Sequence, residues 1–573
     1  MSILARNFNF HYLAICYSVL LVPLASCSSF KAKTVFKSNS SAGPSSFQIE
    51  KISIELSASD IIQARCAGCH GTDSQGFGDI KNITSLAFLR ERNLIVPGDS
   101  ENSPLVRILK SGYMPKGQIM PAEEQQIIAA WIQTGANEVP DNLRLPEKRS
   151  SAEILNLIQK DISEIKGQKL ELANQRYVNF SYLNHEKITL SETRQLRLAL
   201  SKILNSLSWG DKIFAPVSIN ESNLIFRIDL SKLQWTQVTW GAIAAAYPYA
   251  RTPSSSAEAL QRQDIAAELG TSVPIVRGDW LLKALSEPDL YYRVLQIPLE
   301  IADLEFALGV DVTRNLNERN VARVGIRNSF VSTNNRLIER HPTRFGAYWK
   351  SYDFASTSGR ASIFDFPVGP IALNMNFFEP ETFIQDGGEI IFNLPNGLQA
   401  YVIVDSNGRR IDVAPVTVVQ DPLRIQHDVV NGISCISCHA QGMNRNIDSV
   451  RASVSANPSL FRPDTFAAVD SMHKLNSEMN EIFDLDDARF QAALLAIGGE
   501  QVVGEPITPV YYRYQSQLSI DDLARELGLT TLELNEKSNS NPALKSLIDS
   551  IEENGLITRS NFELKFSEIV GQL

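Results

Sequence analysis

Four of the six cysteines in this 573-residue chain fall in two pentapeptides of one pattern, Cys66-Ala67-Gly68-Cys69-His70 and Cys435-Ile436-Ser437-Cys438-His439. Cys-x-x-Cys-His is the pattern of c-type haem attachment. Two thiols on one helical turn can each form a thioether to a haem vinyl group, and the adjoining histidine is then placed beneath the iron. A zinc site would want a second ligand pair at suitable spacing, and the nearest other cysteines lie far along the chain. A thioredoxin-like redox pair expects a βαβ setting, which neither motif has. Both motifs are therefore read as sites for covalently bound haem c, two in all. The remaining cysteines, Cys16 and Cys27, belong to the N-terminal segment, so none is left for a structural disulfide.

That segment reads as an export signal. Arg6 supplies a positive n-region, residues 12–24 form a short apolar run, and Ala25-Ser26 lead to Cys27. It resembles the bacterial lipoprotein signal, which implies that residues 1–26 are removed, Cys16 with them, and that Cys27 is lipidated at the new N-terminus. Acyl chains contribute about 0.8 kcal/mol per buried methylene, enough together to hold a protein on a membrane surface. Ser28, where an aspartate would retain the protein at the inner membrane, points to the outer membrane under the same family's sorting rule. The alternative is a plain secretory signal with an incidental cysteine. Residues 27–50, rich in serine and lysine, form a flexible tether. The expected location is the bacterial cell envelope, periplasm or outer membrane, with the lipid anchor as the contact to the membrane.

The length suggests roughly three or four domains. With 44 % apolar and 21 % charged residues, the chain can bury a sizeable core. Its net charge of −10 disfavours a nucleic-acid partner, which would want a basic surface. The expected fold class is multidomain α+β. An N-terminal all-α domain (51–140) and a linker helix (141–175) precede a mixed α+β domain (176–430), a second haem-binding segment (431–500) and a C-terminal helical region (501–573). Ile154, Leu155, Ile158, Ile162 and Ile165 stand at helical spacing, as do Leu196, Leu200, Ile203, Leu204 and Leu207. Residues 224–230 read as a strand. Residues 389–419 carry two Asn-Gly pairs, Asn396-Gly397 and Asn407-Gly408, between β-branched and aromatic runs. They predict an antiparallel meander with type I′ turns. Asp386-Gly387-Gly388 reads as a turn before that meander, and Asp486-Asp487 as a solvated helix surface. Helical patterns resume over 464–497, with Pro463 as a start signal, and Ser519 and Asp522 stand at capping-box spacing.

Around the first motif the order of features is specific. A helix leads into Cys66, then come Val96-Pro97-Gly98-Asp99, a helix over 101–111, Met114-Pro115, and a closing helix over 121–135 that ends in Trp131-Ile132-Gln133-Thr134-Gly135-Ala136. Over residues 55–140 this resembles the single-haem cytochrome c domain, class I-like and of the planctomycete type, as found in bacterial dihaem lipoproteins. The resemblance implies a six-coordinate iron with His70 as proximal ligand and Met114 as the sixth. Met120, also followed by proline, is the rival, although it stands where the closing helix starts. Methionine ligation raises the potential relative to two histidines and suits exchange with a respiratory partner.

For the second haem, His439 is the proximal ligand and no Met-Pro step follows. The distal candidates are Met479, Met472 and His473 on the downstream helix, and His341 ahead of the aromatic run 345–354. Met443 is too close to its own motif to reach across, and His427 precedes the motif. An open sixth position is a further alternative. Arginines and aromatics around His341 suit the lining of a haem and the pairing of its propionates; a satisfied core histidine is the other reading.

No phosphate loop, nucleophile elbow or further metal-ligand cluster is recognised. Three functions follow in order: an electron-transfer cytochrome working with redox partner proteins, a dihaem peroxidase-like oxidoreductase, and a surface binding protein with an accessory haem domain.

Overall fold

Apolar stripes at helical spacing become single buried faces in the computed structural model. It describes residues 58–573 except 64, 72–79, 116–119, 138–149, 169, 187, 252–255, 330–331, 355–361, 371–380, 422–423, 425 and 499–503. The expected signal segment and tether, with Cys27, lie outside the described residues, as does most of the expected boundary near 140. The described residues belong to one unit, a mixed α and β architecture with more helix than strand. Among them no helix is long and apolar enough to cross a membrane.

The first part is helical. Short helices α1 (Ala67–His70), α2 (Leu86–Glu91), α3 (Pro104–Lys110) and α4 (Ala122–Gln133) enclose a core that includes Ile61, Ile62, Leu89, Val106, Ile128 and Ile132. Pro104 occupies the first turn of α3, where its missing N–H leaves no bond unmade. Helix α5 (Ser151–Gln168) buries Leu155, Ile158, Ile162 and Ile165, the first three against Tyr177, Ile225 and Leu269. Helix α6 (Leu190–Ser206) opens with a reciprocal cap between Thr189 and Glu192 and buries its whole leucine and isoleucine stripe.

A small sheet of β1 (Gln175–Asn179), β2 (Val217–Ser218), β3 (Ile225–Asp229) and β4 (Ile275–Arg277) has the order β2-β3-β1-β4. Its β1–β4 pair is parallel, while β1–β3 and β2–β3 are antiparallel. Helix α7 (Gly278–Leu285) follows directly.

The larger sheet is an antiparallel meander of β5 (Ala322–Ser329), β6 (Ser332–Thr343), β7 (Gly346–Phe354), β8 (Gly387–Asn393), β9 (Gln399–Asp405) and β10 (Arg410–Ile411). Its order is β10-β9-β8-β7-β6-β5. Both Asn-Gly pairs do connect its strands, but they are not type I′ turns. Gly397 and Gly408 take positive φ, 91° and 76°, while Asn396 and Asn407 do not. The loops are longer than two residues, so one left-handed glycine is enough to bring the chain back. Gly387 and Gly388 also differ from expectation, since they begin strand β8 instead of forming a turn. Strands β7 and β8 approach so closely there that a Cβ on Gly388 would lie 1.9 Å from the Ser351 carbonyl oxygen.

A two-stranded ribbon, β11 (Val413–Ala414) with β12 (Val429–Val430), delivers the chain to α8 (Ile433–Cys438), the second motif. The helical pattern downstream becomes two helices, α9 (Pro463–Met472) and α10 (Asn476–Gly498). Then come α11 (Ile507–Gln515) and α12 (Ile520–Leu527), the latter capped by Ser519 and Asp522 as their spacing predicts. Further helices run to the C-terminus.

Candidate functional site

Each motif forms a short helix whose histidine is fixed by a backbone carbonyl. His70 Nδ1 lies 3.2 Å from the Ile80 oxygen, and His439 Nδ1 lies 3.1 Å from the Gly442 oxygen. A carbonyl only accepts, so Nδ1 is the donor in both rings, the ring orientation that a metal-ligating histidine shows.

The first motif is held by chain within residues 65–137 and, from a distance, by α11. Arg65, just before it, makes two hydrogen bonds to Glu124 on α4, at 2.8 and 2.9 Å. The Pro-Gly-Asp turn docks on the same helix: Gln133 Nε2 donates to the Gly98 carbonyl at 2.7 Å and its Oε1 accepts from the Ser100 N–H at 3.2 Å. Trp131 Nε1 closes the segment on the Asn137 carbonyl. Met120 is buried in this core, and Met114 is half-buried against it. Both remain sulfur donors on the same core as Cys66.

The second motif is held by distant chain. Its helix begins at Gly432, with φ +90°, where a Cβ would lie 2.4 Å from the Ser286 carbonyl oxygen at the end of α7. The Ile433 N–H donates to that same oxygen at 2.9 Å. Helix α8 thus seats itself on α7 through a contact only glycine allows.

On its other side α8 faces the six-stranded sheet across a cavity of ≈ 310 Å³. That is the lower end of the range for small-molecule and cofactor sites, about 300–1,000 Å³. Strand parity decides what lines it. Arg336 and Ile338 on β6, Trp349, Ser351 and Asp353 on β7, Glu389 and Ile391 on β8, and Ile403 on β9 all project from one face. Tyr401, on the same face, stacks on the His439 ring with centroids 5.7 Å apart. Arg336 is paired with Asp353. Glu389 faces the histidine, its Oε2 3.7 Å from His439 Nε2. Burial works against ionisation of Glu389, but His439 and Arg336 outweigh it and hold the carboxyl below its usual range.

The same parity places His341 elsewhere. It stands with Glu339 on the opposite face of β6, fully buried, its Nε2 2.8 Å from Glu339 and its Nδ1 3.2 Å from Asn315 Nδ2. The sheet stands between it and His439, so it is a satisfied core histidine. Met479 and Met472 fill the main hydrophobic core and do not line the cavity. His473 is buried with its Nδ1 2.9 Å from Asp448, and His427 is exposed in the loop before the motif. Met443, set aside in the sequence as too near its own motif, does line the cavity. Asp486 and Asp487 are not a solvated surface. Asp486 is buried and binds Arg340 twice at 2.8 Å and Trp349 Nε1 at 2.9 Å, and Asp487 takes the Met443 N–H and Arg445.

The two motifs meet on helix α11. It packs against both α1 and α8, and Thr508 on it shares a 2.9 Å hydrogen bond with Ser437 inside the second motif. Buried Asp421 acts on a thiol of each. Burial pushes the Cys69 thiol up to about 11 and Asp421 adds to it, and for Cys438 burial and Asp421 again raise the thiol, in that order. Burial also raises Cys66, to about 12, and Cys435. A thiol–disulfide exchange centre needs the reverse, a depressed thiol. All four sulfurs are free.

No family model, curated protein or solved structure matches the chain. Among the described residues no group of three or more His, Cys, Asp or Glu side chains is arranged to hold a bare metal ion.

Proposed function

We propose that the chain is an exported, lipid-anchored c-type cytochrome that carries two covalent haems and passes electrons between redox partner proteins. Cys66 and Cys69 would fasten the first haem and Cys435 and Cys438 the second, with His70 and His439 as proximal ligands and Met114, in an N-terminal cytochrome c domain, as the sixth ligand of the first. Cys27 would bear the lipid. The observation that carries this reading is the convergence of the two pentapeptides, remote in sequence, on α11 with Asp421 acting on a thiol of each. Electron transfer asks for two centres close together and shielded from water, and a helix shared by both motifs supports this reading.

The residues present suit a haem at the second site. A motif helix with its histidine oriented by Gly442 stands over an apolar floor of Ile338, Ile391 and Ile403. Bound there, a haem would supply a one-electron redox couple. The chain's own contribution is to orient His439 through Gly442 and Tyr401, to cover the site with the sheet, and to hold the two thiols neutral until they react.

A dihaem peroxidase-like oxidoreductase is the second reading, favoured by one observation: a carboxylate, Glu389, faces His439 Nε2. Spin state and turnover of hydrogen peroxide separate the two. A high-spin ferric second centre with turnover supports the enzyme, and two centres without turnover support the carrier. The test of the reading itself is maturation with a c-haem assembly system. Cys66→Ala and Cys435→Ala should each lose one of two covalent haems by stain and keep the other; loss of neither would overturn it.

A further inference from the structure

We propose that Glu389 is the axial group on the far side of the second haem, so that this centre is His/carboxylate and not His/Met or bis-His. The inference rests on the reading of Cys435–His439 as an attachment site and assigns what that reading leaves open.

Three observations converge on Glu389. The first is aim: with Nδ1 of His439 given to the Gly442 carbonyl, the other ring nitrogen is Nε2, and Glu389 Oε2 stands 3.7 Å from it. Metal bonds to nitrogen and oxygen are each about 2.0–2.2 Å, so two donors on opposite sides of one ion stand about 4 Å apart. The gap is a few tenths of an ångström from that span. The second is setting. On the cavity face of the sheet Glu389 pairs across to Ile403 on one side and stands beside Ser351 on the other, with Ile391 next along its own strand. A carboxylate among isoleucines costs free energy unless a positive partner faces it. The neighbouring acid, Asp353, has Arg336 for that purpose. Glu389 has Arg336 on the same face and the His439 ring at 3.7 Å, and a bound ferric iron would add a positive charge there.

The third is the fate of the rivals. His341 lies on the opposite face of the sheet, Met479 and Met472 lie in the core, and His473 is bound to Asp448. Among the described methionines Met443 alone lines the cavity. It follows His439 by four residues, and its N–H is fixed by Asp487 at 3.2 Å on the motif side.

The chemistry then differs between the two centres. A thioether favours the ferrous state of the first haem, and an anionic oxygen favours the harder ferric state of the second. With haem bound at both sites, the second centre would be the stronger reductant of the two.

The test uses the full mature chain with Glu389→Gln, Glu389→Ala and Met443→Leu, read by electron paramagnetic resonance of the ferric state and by redox titration. The expected result is that both Glu389 variants change the axial signal of the second haem only. Each should stabilise its ferrous form at least tenfold, a rise of about 59 mV for one electron, and added formate should reverse the change in Glu389→Ala. Met443→Leu should leave signal and potential in place. Unchanged signals in Glu389→Gln and Glu389→Ala, or loss of the axial signal in Met443→Leu, would overturn the proposal. If peptide mass shows wild-type protein without haem at Cys435 and Cys438, the attachment reading itself has failed; haem present with silent Glu389 variants sinks this inference alone.

Discussion

At Cys66–His70 the enclosing core comes from residues 58–136, whereas at Cys435–His439 it comes from a sheet spanning 322–411 and from helices on either side of it. In the first region the side-chain hydrogen bonds around the motif lie within one stretch, Arg65 to Glu124, Gln133 to Gly98 and Ser100, Trp131 to Asn137, and α11 is the distant element that packs on α1. In the second, α8 depends on the carbonyl of Ser286, on Thr508, and on strands whose inward residues are selected by parity. A site built from neighbours leaves an ordered trace in the sequence. One built across a sheet leaves only alternation, and alternation does not say which helix lies over it.

The comparison breaks most sharply under a charge placed in the sheet floor. Ile403→Asp would bury a second carboxylate beside Glu389 with no cation to meet it, a cost of several kcal/mol, about 2–5. The expected outcome is loss of haem at Cys435 with retention at Cys66, read by haem stain of tryptic fragments. Equal loss at both sites would mean that the two environments are not separable. The reciprocal change is Ile132→Ala in the first core, where the side chain is fully buried. Its expected cost is about 2–5 kcal/mol, seen as a lower melting temperature and weakened haem retention at the first site, with the second centre's spectrum unchanged.

A buried cluster apart from both motifs serves as a reference. Burial opposes ionisation of Glu526, but Arg277 and Arg559 more than offset it and hold the carboxyl at about 2. A depressed carboxyl stabilises the fold above its unfolded value near 4.5, and this contribution disappears as pH falls from about 4.5 towards 2. The size at neutral pH is about 3 kcal/mol. Glu526→Gln should therefore lower the melting temperature at pH 7 and flatten its acid dependence while leaving both haem spectra as they were. A changed spectrum would tie this cluster to the sites.

The smallest effect tests what the regions share. Asp421→Asn removes the carboxylate that acts on both motifs and should raise both midpoint potentials modestly, because a neighbouring negative charge favours the ferric state. A shift confined to one centre would contradict the shared position.

Much of the first region was legible: the Pro-Gly-Asp turn, the helix before Met114 and the closing helix around Trp131 stand in the expected order. So were the stripes of α5 and α6 and the meander. The Asn-Gly turn type was not, because loop length decides whether asparagine must also be left-handed. Of the two readings open for His341, strand alternation with Arg340, which puts it on the opposite face, selects the satisfied core histidine. Glu389 carries a signal of its own, a charge two residues from Ile391 in an apolar strand. That α8 lies over this strand is set by Gly432 against Ser286, a long-range contact that no local pattern announces.

The account depends on haem being covalently attached at both pentapeptides. The most direct measurement is peptide mass spectrometry of exported, matured protein. The predicted result is one porphyrin adduct on the peptide holding Cys66 and Cys69 and one on the peptide holding Cys435 and Cys438. Unmodified thiols at both would contradict it.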